Sequence, residues 1–149
     1  MDASNSKRRA NASIAPASIY RIVHSSAAPA LLNAADFIYG NLSNGDDGMC
    51  LVYGSESEYT LVDCIGDFHG DPGSGWDVCG TGSTKDNTLV RKSAVMQGHM
   101  GDWTTSAGTT ADDCEWLVMG NEDWSNLGSH SIDAGGASPA PSLSPPSPA

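Results

Sequence analysis

Short β-branched and aromatic runs, separated by turns rich in glycine and aspartate, predict an all-β fold. Glycine reaches 17 copies while charged residues make up only 17% of the chain, a balance that favours tight turns and short strands over long helices. No heptad, long amphipathic helix or internal repeat runs through the sequence. Its 149 residues allow one domain of roughly 100 residues with tails, and no second core.

The elements follow in chain order. Residues 1–17 are small and polar, show no period that could bury one face, and are read as a disordered leader. Ser18-Ile19-Tyr20-Arg21-Ile22-Val23-His24 is β-branched and aromatic enough for a strand, and Ala30 to Ala35 suits a turn or two of helix. Met49 to Tyr53 and Tyr59 to Ile65 flank Gly54-Ser55-Glu56-Ser57-Glu58, the pattern of an antiparallel hairpin closed by a short loop. Asn87 to Lys92 reads as a strand with one polar face, and Glu115 to Met119 as another. Irregular connections between short strands suggest a β-sandwich. The domain is placed at 18–133. From residue 134 the chain turns to proline, serine and alanine, a composition that favours extended conformations without a core, so 134–149 is read as a disordered linker.

Charge narrows the function classes. Seven basic residues against eighteen acidic ones leave a formal net charge of −11, which repels a phosphate backbone, so direct nucleic-acid binding is not expected. The basic run Lys7-Arg8-Arg9 stands in the polar leader, with no apolar stripe beside it. No stretch has the ~20 apolar residues of a membrane span, and no continuous signal-peptide core of ~7–15 apolar residues opens the chain as given. Asn11-Ala12-Ser13 and Asn41-Leu42-Ser43 read as glycosylation acceptors on an exported chain.

Catalytic constellations are sparse. His24, His69, His99 and His130 stand singly, outside any metal-binding spacing. His69, between Asp67 and Asp71, allows a loop acid–base pair to be drawn, against the plainer reading of a hydrogen-bonded turn. Gly80-Thr81-Gly82-Ser83-Thr84 lacks the lysine of a phosphate loop, and no nucleophile-elbow serine is present. The chain is therefore not read as an enzyme. Carboxylates in turn-rich segments offer the one metal expectation, a calcium site from Asp46, Asp47, Asp112 and Asp113, although no EF-hand loop occurs and Asp is also an ordinary turn former.

A string of motifs gives a more specific reading. Ala30-Leu31-Leu32 is followed by Gly40-Asn41-Leu42-Ser43-Asn44-Gly45-Asp46-Asp47, then Leu61-Val62-Asp63-Cys64-Ile65-Gly66 and Trp76-Asp77-Val78-Cys79-Gly80. Asp86-Asn87-Thr88-Leu89-Val90-Arg91-Lys92-Ser93, Gly101-Asp102-Trp103, Glu115-Trp116 and Leu127-Gly128-Ser129-His130 complete it. In this order the segment from Ile19 to Ser131 resembles the lamin-tail domain, in the version appended to secreted multidomain proteins and extracellular nucleases of bacteria and algae. The resemblance implies an immunoglobulin-like β-sandwich, an extracellular or cell-surface location, and attachment or recognition of a protein or surface polysaccharide through loops and edge strands. It implies Trp76, Arg91, Trp103, Trp116 and His130 as structural motif residues. The family's first strands have no counterpart here, which implies an incomplete sandwich with an unpaired edge.

Within that frame the tryptophans, Trp124 included, are expected as core and rim plugs, a ledge of solvent-exposed rings being the alternative. Either Arg91 or Lys92 is expected to reach an acidic neighbour such as Asp86 or Glu115 while the other faces water. His130 is expected to cap the last strand. Cys50 and Cys64 sit among apolar strand residues, whereas Cys79 and Cys114 lie at loop edges beside tryptophans. Cys79 with Cys114 is the pairing expected, with the other connectivities open. The functional expectation is a non-catalytic attachment module. The alternatives are a fragment of a secreted nuclease whose catalytic domain lies outside the chain, and a calcium-dependent carbohydrate-binding module.

Overall fold

A computed structural model describes residues 14–15, 18–42 and 44–133. The Pro/Ser-rich segment 134–149, and the leader apart from 14–15, lie outside the described residues. Among the described residues the fold is all-β, with two short helices and eight strands. Strands pair two by two: β1 (Ile22–His24) runs parallel to β2 (Phe37–Tyr39), β3 (Met49–Gly54) antiparallel to β4 (Tyr59–Ile65). β5 (Asp77–Val78) pairs antiparallel with β6 (Gly82–Ser83), and β7 (Thr88–Arg91) with β8 (Trp116–Met119).

β1 is shorter than the apolar run around it because an ion-paired clamp marks where pairing begins. The Arg21 main-chain N–H donates to Asp36 Oδ2 at 2.8 Å, the Arg21 side chain meets the same oxygen at 3.1 Å, and the Arg21 carbonyl accepts from the N–H groups of Asp36 and Phe37. The parallel pair needs a crossover, which residues 25–36 supply through helix α1 (Pro29–Asn33), with proline in its first turn where the missing N–H costs nothing. The β3–β4 hairpin forms where the alternating pattern predicts it, closed by Ser55, whose N–H donates to the Glu58 carbonyl at 2.7 Å. Its ladder is regular except at Val62, which is left unmatched between Leu61 and Asp63.

Cys50 and Cys64 stand directly opposite in that ladder and are joined by a disulfide. The pairing of these two, left open by the sequence, follows because facing positions on adjacent antiparallel strands bring two sulfurs within bonding reach.

The core gathers lower down the chain. Val78, Cys79, Trp103, Ala107, Cys114 and Trp116 form one buried cluster, with Ile65, Trp76, Leu89 and Val118 packed against it. β5 and β6 are joined through Cys79 and Gly80, both at positive φ (57° and 63°), with the Thr81 N–H closing onto the Val78 carbonyl. Positive φ at both central positions is what a primed hairpin turn requires, and for a non-glycine residue it costs energy. The Cys79–Cys114 disulfide and the Cys79 N–H bond to the Ala107 carbonyl at 2.9 Å hold that conformation.

Helix α2 (Trp103–Ala107) has no counterpart in the sequence expectations. Five residues give too short a period to read, but the Asp102 carboxylate caps the helix by accepting the Thr105 N–H at 3.1 Å. It buries Trp103, Ser106 and Ala107. Gly108 ends it at φ +61°, where an added Cβ would lie 2.6 Å from Cys114 Cα, so helix end and disulfide approach as closely as backbone allows.

Candidate functional site

The densest polar arrangement in the described residues is built around Arg91 at the end of β7. Register places Arg91 opposite Trp116, and its guanidinium stacks on that indole at 4.1 Å from the ring centroid. One guanidinium nitrogen contacts Glu115 and Ser106, and the other contacts Asp63 of β4. Ser106 Oγ, on a side chain only 1% exposed, donates to Glu115 Oε2 at 2.9 Å and accepts from the Trp116 indole N–H at 3.0 Å. His99 Nε2 meets the other Glu115 oxygen. Each polar group therefore has a partner inside the cluster, and among the described residues no buried side-chain nitrogen or oxygen is left unbonded.

Chemically this arrangement is a brace. The serine oxygen is fully used, one donor and two acceptors, so no lone pair is aimed at a substrate. The carboxylates are divided between a guanidinium and an imidazole, with β4, β7, α2 and the segment before β8 each contributing a member.

The expected ion pair of Arg91 with Glu115 forms, and Asp86 takes no part in the Arg91 pairs. Asp63, Ser106 and His99 were not anticipated. Asp63 carried a signal, since a carboxylate in the middle of Leu61-Val62-Asp63-Cys64-Ile65 needs a partner when half the strand is covered; Ser106 and His99 carried none. Lys92 corrects the expectation that it faces water. Its ammonium donates to the Ala111 carbonyl at 2.7 Å and the Cys114 carbonyl at 2.6 Å, tying the turn before β8 to β7.

The tryptophans divide by burial. Trp103 and Trp116 are buried with ring centroids 6.0 Å apart, Trp76 is half-buried, and Trp124 is 53% exposed. A single ring in solvent is not a ledge, and Trp124 is not the plug expected. Trp76 packs against Gly66, which at φ +78° would place a Cβ 2.6 Å from the indole. His130 is exposed and lies well beyond β8, the last strand, so it does not cap it.

The calcium candidates Asp46, Asp47, Asp112 and Asp113 are not brought together: among the described residues no group of three or more His, Cys, Asp or Glu side chains could hold a metal ion. Asp113 spends its carboxylate on its own turn, with Oδ1 accepting the N–H groups of Thr109 at 2.8 Å and Thr110 at 2.7 Å, and Oδ2 the Thr109 hydroxyl. Those bonds, the Thr110 N–H first, pull its carboxyl from 3.8 to about 2. A depressed value stabilises the fold fully above the unfolded pKa, and the contribution is lost as pH falls through the folded one. The melting temperatures of wild type and Asp113→Ala are therefore expected to differ at pH 7 and to converge between pH 3.8 and about 2. Calorimetry across that range checks it.

His69 is exposed. Its main-chain N–H, not its ring, bonds Asp67 Oδ1 at 2.9 Å, and Asp71 accepts the Gly73 N–H, so both carboxylates shape turns. A hollow of about 490 Å³ lies over the β5–β6 turn, lined by Asp77, Gly80, Thr81, Gly82, Ser83 and Asn87. Asn87 is spent on the Ser83 N–H and the Met119 carbonyl, and the hollow holds no acid–base pair. Among the described residues no helix is long and apolar enough to cross a membrane. No protein-family model, curated protein or solved structure matches the chain.

Proposed function

We propose that the chain is a non-catalytic, lamin-tail-like attachment module of an extracellular or surface multidomain protein. The observation that carries this reading is the closed polar cluster. Arg91, Asp63, Glu115, Ser106 and His99 would be the natural materials of an active centre, yet they are bonded to one another around a nearly inaccessible hydroxyl. Catalysis needs a polar group held ready for a reacting atom, and here the polar groups join strands and helix. The motif string from Ala30 to His130 supports the lamin-tail assignment. Two disulfides suit an oxidising compartment and stabilise a core of limited size.

Purified chain incubated with double-stranded DNA, RNA or p-nitrophenyl phosphate is expected to give no turnover above the blank. Hydrolysis that disappears on His69→Ala or Asp71→Ala would sink the non-catalytic reading, because it would place an acid–base centre in the 67–73 loop.

A further inference from the structure

The two cross-links differ in what lies along the line of their sulfurs. Exchange with a thiol is an in-line displacement: the attacking sulfur approaches one disulfide sulfur from the side opposite its partner, so access along that line decides which bond opens. Cys50 and Cys64 face one another across the β3–β4 ladder. Their bond therefore runs between the strands, and its extension past Cys50 crosses β3. That side is open. β3 pairs with β4 alone, no other described segment bonds to its backbone, and every residue of it is exposed or half-buried, Cys50 among the half-buried. The extension past Cys64 is covered. Beyond β4 the Met100 N–H donates to the Val62 carbonyl at 3.1 Å, Gly98 lies so close to Val62 and Asp63 that a Cβ has no room, and Cys64 is 4% exposed.

Cys79–Cys114 offers no such approach. Both residues are buried inside the tryptophan cluster, and the Trp116 carbonyl oxygen stands 3.3 Å from each sulfur. We propose that Cys50–Cys64 is a thiol-exchange site, opened at Cys50 by the dithiol of a partner protein of the Cys-x-x-Cys kind while Cys79–Cys114 stays closed. One thiol of the partner gives its proton to water and bonds to Cys50 Sγ. The Cys50–Cys64 bond breaks, and Cys64 leaves as a thiolate that takes up a proton. The partner's second thiol then loses its proton, bonds to the first sulfur and releases Cys50, which is protonated in turn. The partner ends as a disulfide and the two cysteines as thiols, two electrons having passed to this chain. β3 and β4 stay joined by their ladder and by the Ser55 N–H bond to Glu58, so reduction loosens an edge hairpin and leaves the core closed. The proposal stands apart from the attachment reading.

The test incubates the full chain with reduced thioredoxin in the absence of denaturant, stops samples with iodoacetamide and maps the alkylated cysteines by mass spectrometry. Cys50 and Cys64 are expected to be labelled at least about a hundredfold faster than Cys79 and Cys114. Tryptophan fluorescence should hold over that interval, because Trp103 and Trp116 stay in the closed cluster. Amide exchange should quicken about tenfold or more within Met49–Ile65 and remain unchanged over 78–116. Glutathione used in place of thioredoxin and quenched with acid should be found on Cys50. Labelling of all four cysteines in step, of Cys79 and Cys114 first, or of none overturns the proposal, as does glutathione found on Cys64. Selective reduction by dithiothreitol but not by thioredoxin also overturns it, since the bond would then admit no protein partner. So does a rate that climbs in dilute urea with the slope of global unfolding, which would place the reaction in the unfolded chain. None of these outcomes touches the attachment reading, which falls separately to the hydrolysis assay.

Discussion

Replacing Cys79 and Cys114 together by alanine is expected to lower the melting temperature by roughly 15–25 °C, from about 3.8 kcal/mol of lost chain-entropy stabilisation in a domain of this size. The cross-link joins residues 35 apart in sequence, and both sulfurs lie in the central cluster, Cys79 at 2% exposure. It closes the β5–β6 turn onto the segment entering β8, so without it the positive φ of Cys79 must be held by hydrogen bonds alone. Removing Cys50 and Cys64 gives the comparison. Their separation of 14 corresponds to about 3 kcal/mol in the same model, and they tie strands that a short turn and a ladder already hold together. Calorimetry of the two double variants should rank Cys79–Cys114 as the costlier loss. The reverse order would mean that the hairpin, and not the tryptophan cluster, anchors the fold.

The difference between those cross-links also marks what was legible in the sequence. The β3–β4 hairpin could be read because Met49 to Tyr53 and Tyr59 to Ile65 carry apolar and β-branched residues around a polar turn, which is local information. β7 and β8 were legible for the same reason, with bounds within a residue of those observed. β2, β5, β6 and α2 are two to five residues long, too short for a period to register. β2, β5 and β6 depend on distant partners, Arg21 clasping Asp36 and Cys79 bonded to Cys114, while α2 rests on a local cap, Asp102 accepting the Thr105 N–H, and on the burial of Trp103, Ser106 and Ala107. The same limit governs the polar cluster. Arg91 with Glu115 could be named because alternation puts both near one ladder, whereas Ser106 sits on an unforeseen helix and His99 in a loop. Lys92 misled because a strand's alternation assigns it to solvent, while its long stem let the ammonium reach two carbonyls of the 111–114 turn.

Arg91→Met is expected to destabilise the fold by about 3 kcal/mol, because removing one member of a half-buried charge group leaves the others desolvated without compensation. The Arg91 and Glu115 side chains are 13 and 14% exposed and Asp63 is 30% exposed, so Glu115 carries most of that penalty and Asp63 recovers part of its hydration. Arg91→Lys should rescue less than half. An ammonium is a point charge and cannot span Glu115 and Asp63 with two nitrogens while lying flat on Trp116. Adding Glu115→Leu to Arg91→Met tests the cause. If the loss comes from a stranded carboxylate, the double variant should recover about 1 kcal/mol or more, since an apolar replacement of the pair removes the charge that had to be desolvated. Ser106 would still hold the Trp116 indole N–H, so the core contact survives the exchange. Urea unfolding at constant m-value measures all three variants. A single-variant loss below about 0.5 kcal/mol would show the cluster to be solvated and worth no more than a surface pair. With it would go the physical basis for treating these five side chains as a brace and not as a site.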